Sequence, residues 1–215
     1  MNARLPRGLQ VDENGVVRCA WTGEHEDYRA YHDHEWGRPH SNEKRLFEKI
    51  CLEGFQAGLS WLTILRKRDA FRRAFRDFDI EKVSRFNSRS VERLLADPGI
   101  VRHRGKIESA IQNAHCAKRL IDEFGSLSAF IWEFEPASGG RPRRVDYGAL
   151  RKLTESEESR SMSRALRARG WRFVGPTTLY AFMQSVGVVN DHLEGCSFRK
   201  AVEDERLRFR SSRRR

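Results

Sequence analysis

The chain has 215 residues, with 41 Lys and Arg against 30 Asp and Glu, a net charge of +11 and a mean hydropathy of −0.70. No apolar run approaches the roughly 20 residues that a membrane span needs, and the N-terminus lacks the apolar stretch of a secretory signal, so an intracellular, cytoplasmic protein with no membrane partner is expected. Four cysteines (Cys19, Cys51, Cys116, Cys196) are too few for a disulfide scaffold, so paired use points to metal.

The charge makes a polyanion the first partner to consider, but its distribution is uneven. Arg206, Arg208, Arg210, Arg213, Arg214 and Arg215 lie in the last ten residues, and setting them aside leaves +5. Residues 201–215 therefore read as a solvated basic tail offering salt-sensitive attraction to phosphates. At the other end, residues 1–17 read as an arm, with a short extended segment near Val11 or Val16-Val17.

From Glu43 the pattern turns helical, with Leu46, Phe47, Ile50 and Cys51 on one face and Ser41 or Asn42 as cap. Gly54 and Gly58 are expected to break that helix. A second helix starts near Ser60. Short helices follow over 79–86 and 89–96, then the turn signal Asp97-Pro98-Gly99. Ile107, Ala110, Ile111, Ala114, Ala117, Leu120 and Ile121 define a long helix over 105–124, with Gly125 placed as its C-cap. A brief helix covers 128–134, a polar, breaker-rich loop 136–144, a basic helix 156–169 and an apolar helix 177–186. Nothing alternates with period two for long enough to build a sheet, so an all-α bundle is predicted, with one domain over 18–200.

Three groups of residues carry chemistry. Cys19 and His32 near the start, with His192 and Cys196 near the end, make a complete tetrahedral set for zinc with no open position, as structural sites have. On a helix, the i, i+4 spacing of His192 and Cys196 would project both side chains from one face a turn apart. An alternative use of His32, Asp33, His34 and Glu35 is a catalytic cation, although no second carboxylate-rich ligand set lies downstream. The second group is Glu53, a lone acid among apolar neighbours. With Trp61, Tyr28, Tyr31 and Trp36 it could form a box of one anion and several π-faces, suited to a flat cationic guest. The third is the turn Gly175-Pro176-Thr177, which opens a helix with backbone N–H groups available to a phosphate, or else is a packing turn.

The segments RCAW, YxxYHDxEWG, CLEGFQAGLSW, GIVRHRGKI and FVGPTTLYAFMQSVGVVNDHLEGC resemble the DNA-3-methyladenine glycosylase I family over about Arg18–Cys196. The resemblance implies an all-α helix-hairpin-helix glycosylase fold, with the hairpin over about 169–187. It implies one structural zinc ion, held by Cys19, His32, His192 and Cys196, that ties the two ends of the domain together. The implied activity is hydrolysis of the N-glycosidic bond of 3-methyladenine in alkylated double-stranded DNA, releasing the free base and leaving an abasic site, by a monomer. Glu53 takes the catalytic and base-binding role, with Tyr28, Tyr31, Trp36 and Trp61 around the base. Gly58-Leu59 is a candidate wedge for the vacated stack, and Gly175, Pro176 and Thr177 face the DNA backbone. Phe173 stands where the broader superfamily has a glycine, and the superfamily's catalytic aspartate has no counterpart. No lysine occupies the pocket segments to form a Schiff base, so a glycosylase without lyase activity is expected. The competing reading is a zinc-stapled protein that binds damaged DNA without cutting it.

Overall fold

Polar caps start the helices where the sequence offers them. In a computed structural model, which describes residues 5–137, 139–142 and 144–213, Asn42, Ser60, Asp79, Asn87, His103, Ser126, Asp146 and Ser156 each accept a backbone N–H at a helix start. Residues 1–4 of the arm, Ser138 and Arg143 of the loop, and Arg214 and Arg215 of the tail lie outside the described residues. The element order is β1 Leu9–Val11, β2 Val17–Cys19, α1 Glu26–His34, α2 Glu43–Gln56, α3 Trp61–Ala74, α4 Ile80–Ser84, α5 Ser88–Ala96, α6 Arg104–Phe124, α7 Leu127–Trp132, α8 Tyr147–Arg151, α9 Glu157–Ala168, α10 Pro176–Ser185 and α11 Arg199–Arg213. The protein is thus mostly helical, with one small sheet. No helix among the described residues is long and apolar enough to cross a membrane.

Where a single domain over 18–200 was expected, the chain divides into two compact units. One comprises the residues up to Pro39, Glu135–Thr154 and those from Met183 on; the other comprises His40–Phe134 and Glu155–Phe182. In the first unit the predicted arm is a hairpin. Strands β1 and β2 pair antiparallel with Leu9 opposite Cys19 and Val11 opposite Val17, and Asp12 Oδ1 closes the turn by accepting from Asn14 and Val16 N–H at 2.9 Å. The turn chemistry makes the sheet here, because three-residue strands are too short to show as alternation.

The basic tail is also corrected. Residues Arg199–Arg213 form α11, and Arg206 is only 7% exposed. Its guanidinium donates to the Gly187 and Val188 carbonyls at 2.7 and 2.8 Å and pairs with Glu203 and Glu135 at 3.0 and 3.1 Å; Arg210 joins Glu135 at 2.6 Å. Two of the six arginines counted as free charge therefore hold structure. Breaking such a buried cluster by removing one partner costs about 3–5 kcal/mol. We expect Arg206→Met to lower Tm by about 6–20 °C, with Arg206→Lys in between. A calorimetric scan showing no change would contradict the buried role.

In the second unit α6 packs against α2, α4, α5 and α7. Beside it runs an aromatic chain, with Phe55 against Phe71 at 4.7 Å, Phe75 stacked on Phe78 at 5.4 Å and Phe47 against Phe78 at 6.4 Å. Phe78 reaches that stack through a turn in which Arg76, Asp77 and Phe78 have φ of 55°, 55° and 52°, a left-handed run that costs L-residues about 1–2 kcal/mol each. Arg76 is exposed. Relieving its strain outweighs the extra unfolded-state freedom of glycine, so Arg76→Gly should stabilise by about 0.5–1 kcal/mol in urea unfolding; destabilisation would show that the arginine side chain is needed.

Glycine 54 does not break α2, which continues to Gln56. A Cβ there would lie 3.3 Å from Phe173 Cβ and 3.4 Å from its carbonyl oxygen, so the glycine serves a close approach. Phe173 itself has φ +56°, a left-handed conformation that a glycine would adopt without strain.

Candidate metal centre and candidate base site

The first unit brings all four predicted ligands together. Cys19 ends β2, and His32 lies in the last turn of α1, a helix that precedes the first one predicted from periodicity. Its density of aromatic and ionisable groups hides the 3.6 period. His192 and Cys196 lie on a turn rather than a helix: Gly195 takes φ +91° and Cys196 N–H bonds the Leu193 carbonyl at 2.9 Å. All four are buried, and their ligand atoms lie within 4.8 Å of one another.

Surrounding oxygens decide which nitrogens face inward. His32 Nδ1 donates to Asp33 Oδ1 at 2.7 Å, and that carboxylate is held in turn by Arg18 Nε at 2.8 Å. His192 Nε2 donates to the Trp36 carbonyl at 3.1 Å. The remaining lone pairs, His32 Nε2 and His192 Nδ1, face each other at 3.1 Å and lie 3.7 and 3.5 Å from Cys196 Sγ. Tetrahedral coordination at ordinary zinc bond lengths puts ligand atoms about 3.4–3.6 Å apart. The hydrogen bond from Cys19 holds the Cys196 thiol below its ordinary range and, with burial, pushes Cys19 above it. Two acceptor nitrogens and a thiolate converging in a dry site are repulsive unless a cation lies among them, so the residues fit a metal ion. Asp33 and the exposed His34 are not part of this set, which leaves the catalytic-cation alternative without its cluster.

Tyr28, Tyr31 and Trp36 belong to the same unit. Tyr28 stacks toward Tyr31 at 6.4 Å, and the Trp36 ring lies parallel to His32 at 6.0 Å. The cluster has a centre the sequence reading missed. Trp21 sits edge-on to Tyr28 at 4.9 Å, Trp36 at 5.0 Å and His32 at 5.3 Å, and is 39% exposed. The signal was its place in RCAW, two residues after a ligand.

Glu53 and Trp61 belong to the second unit, on α2 and at the first position of α3. Glu53 is buried. Burial pushes its carboxyl up to about 8, with the Lys49 ammonium pulling it back down. Lys49, one turn before Glu53, is 4% exposed, and its Nζ lies 5.1 Å from the centre of the Trp61 ring. The expectation of no lysine beside these residues is therefore wrong. The sequence showed Lys49 only as one charge in an amphipathic helix.

After α2, Gly58 turns the chain with φ +82° into open space and presents Leu59, 42% exposed. Lys106, unnoticed within GIVRHRGKI, donates to the Phe55 and Ala57 carbonyls at 2.9 and 2.6 Å and so closes the C-terminus of α2. Gly175 precedes α10, Pro176 is its first residue and Thr177 is exposed. The exposed Arg167 reaches within 3.6 Å of the position a Cβ on Gly175 would take.

Similarity to known proteins covers both units. The methyladenine glycosylase family model matches residues 21–200. A DNA-3-methyladenine glycosylase of Haemophilus influenzae is 44% identical over 182 residues, 84% of this chain and 97% of that protein; DNA-3-methyladenine glycosylase 1 of Escherichia coli is also 44% identical, over 84% and 96%. Among solved structures, a Staphylococcus aureus 3-methyladenine DNA glycosylase I, solved for its recognition of 3-methyladenine, is 34% identical with a TM-score of 0.78, over 85% of this chain and 96% of that one. With the model spanning most of its length and relatives at this identity, the chain belongs to the methyladenine glycosylase family.

Proposed function

We propose that this protein excises 3-methyladenine from alkylated double-stranded DNA, hydrolysing the N-glycosidic bond to leave the free base and an abasic site. The observation that carries this is Glu53, a buried acid on α2 with the Trp61 ring one loop away, within a chain 44% identical to DNA-3-methyladenine glycosylases. Methylation at N3 makes the base cationic, so it is already a good leaving group. The C1′–N9 bond breaks with its electron pair going to the base, the sugar passes through an oxocarbenium-like state, and water supplies the hydroxyl at C1′ and releases a proton.

Glu53 accepts hydrogen bonds from the base and meets its charge, while Trp61 carries the stacking role that the family resemblance assigns. A cationic base lowers the Glu53 pKa on binding, so its arrival releases a proton. Gly58-Leu59 enters the vacated stack, and Gly175, Pro176 and Thr177 hold backbone phosphates. The Cys19, His32, His192 and Cys196 set would hold one structural Zn2+, which would supply charge compensation to the ligands and a tie between them. The reading remains a glycosylase without lyase activity, so the reaction stops at base release. The protein works as a monomer inside the cell.

Methylated duplex incubated with purified protein tests this reading. We expect free 3-methyladenine above the spontaneous rate and no borohydride-trapped protein–DNA adduct. Binding without base release would favour the non-cutting reading instead.

A further inference from the structure

Glu53 and Trp61, taken as the base site, would by themselves favour any cation. The structure already places one there. Lys49 Nζ sits over the Trp61 ring at 5.1 Å, inside the roughly 6 Å reach of a cation–π contact. It is buried, and its helical position one turn before Glu53 puts the two side chains on the same face of α2. The adjacent carboxylate of Glu48 is engaged elsewhere, with Arg72 at 2.9 Å.

We propose that Lys49 is the specificity-determining residue of this site, setting how strongly it prefers a charged base over a neutral one. With Glu53 ionised, as at alkaline pH, it and Lys49 together present no net charge, and the ring face that would attract a second cation already serves one. A cationic base meets the repulsion of the ammonium at close range, where low dielectric makes it strong; a neutral methylated base of the same shape does not. Relative to a site with Glu53 and Trp61 alone, the margin between the two guests is narrowed, and neutral alkylated purines become acceptable ligands. This rests on the reading of Glu53 and Trp61 as base-binding residues.

The test is a pair of affinities for the full chain, measured by tryptophan quenching at alkaline pH. One probe is the permanently cationic 3,9-dimethyladeninium and the other is neutral 3-methyladenine. Lys49→Met is expected to tighten the cation about tenfold while leaving the neutral base within about twofold, and Lys49→Arg is expected to keep the original ratio. If Lys49→Met fails to fold by circular dichroism, Lys49→Gln carries the same expectation. A folded variant that binds both probes with an unchanged ratio would overturn the role of Lys49. If neither probe binds the unsubstituted chain, the base-site reading itself fails and the proposal falls with it.

Discussion

Glu53→Gln should abolish most activity and make the protein more stable. Losing a charge aimed at the reacting base costs about 10²–10³-fold in excision rate, the scale seen when one preorganised electrostatic group is removed. The stability gain follows from the sign of the pKa shift. The native carboxyl titrates at about 8 against 4.5 for an ordinary glutamate, so the native state binds a proton that the unfolded chain releases between those values. Native stability therefore falls as pH rises from about 4.5 to about 8 and stays low above it. Glutamine mimics the protonated form and removes that slope. The Lys49 attraction is already inside the net shift and does not reverse it. At pH above about 8 the variant should gain at least about 1 kcal/mol, or about 2–4 °C in Tm, and near pH 4 it should gain almost nothing. Unfolding scans at the two pH values check this; an equal effect at both would mean that Glu53 is not held protonated in the native state.

Removing the metal should have the largest effect on stability. A site that binds only the folded chain contributes about 4 kcal/mol when free metal is a thousandfold above Kd. Cys196→Ser, or exhaustive chelation, is therefore expected to lower Tm by about 8–16 °C. Excision per folded molecule should change far less below the new transition, because the four ligands close the site. Metal analysis of protein purified without chelator should give one zinc per chain. A chain free of zinc with an unchanged Tm would show that Cys19, His32, His192 and Cys196 hold together as a hydrogen-bonded cluster.

Much of the candidate site was legible because it sits in dense local motifs. The four ligands, Glu53 and the helix caps are each marked by residue type, and α2, α3 and α6 by a 3.6 period. Other features depended on partners far away in sequence. Arg206 looked like one charge in a run; only the Gly187 and Val188 carbonyls and Glu135 make it structural. The turn carrying His192 and Cys196 has helical spacing, but Gly195 at φ +91° bends it out of a helix. Lys49 carries the pattern of a solvated helix charge, and its burial depends on Trp61, which lies beyond the end of its own helix. Gly54 reads as a breaker until Phe173 is brought against it. In each case local propensity and tertiary contact pointed to different answers, and the contact decided.

The central claim is that Glu53 serves base excision. Single-turnover release of 3-methyladenine from methylated duplex, compared between the unsubstituted chain and Glu53→Gln at equal folded concentration, tests it most directly. The account predicts release well above the spontaneous rate for the first and a loss of about 10²–10³-fold for the second. Equal release by both, or no release above background by either while DNA is still bound, would contradict it.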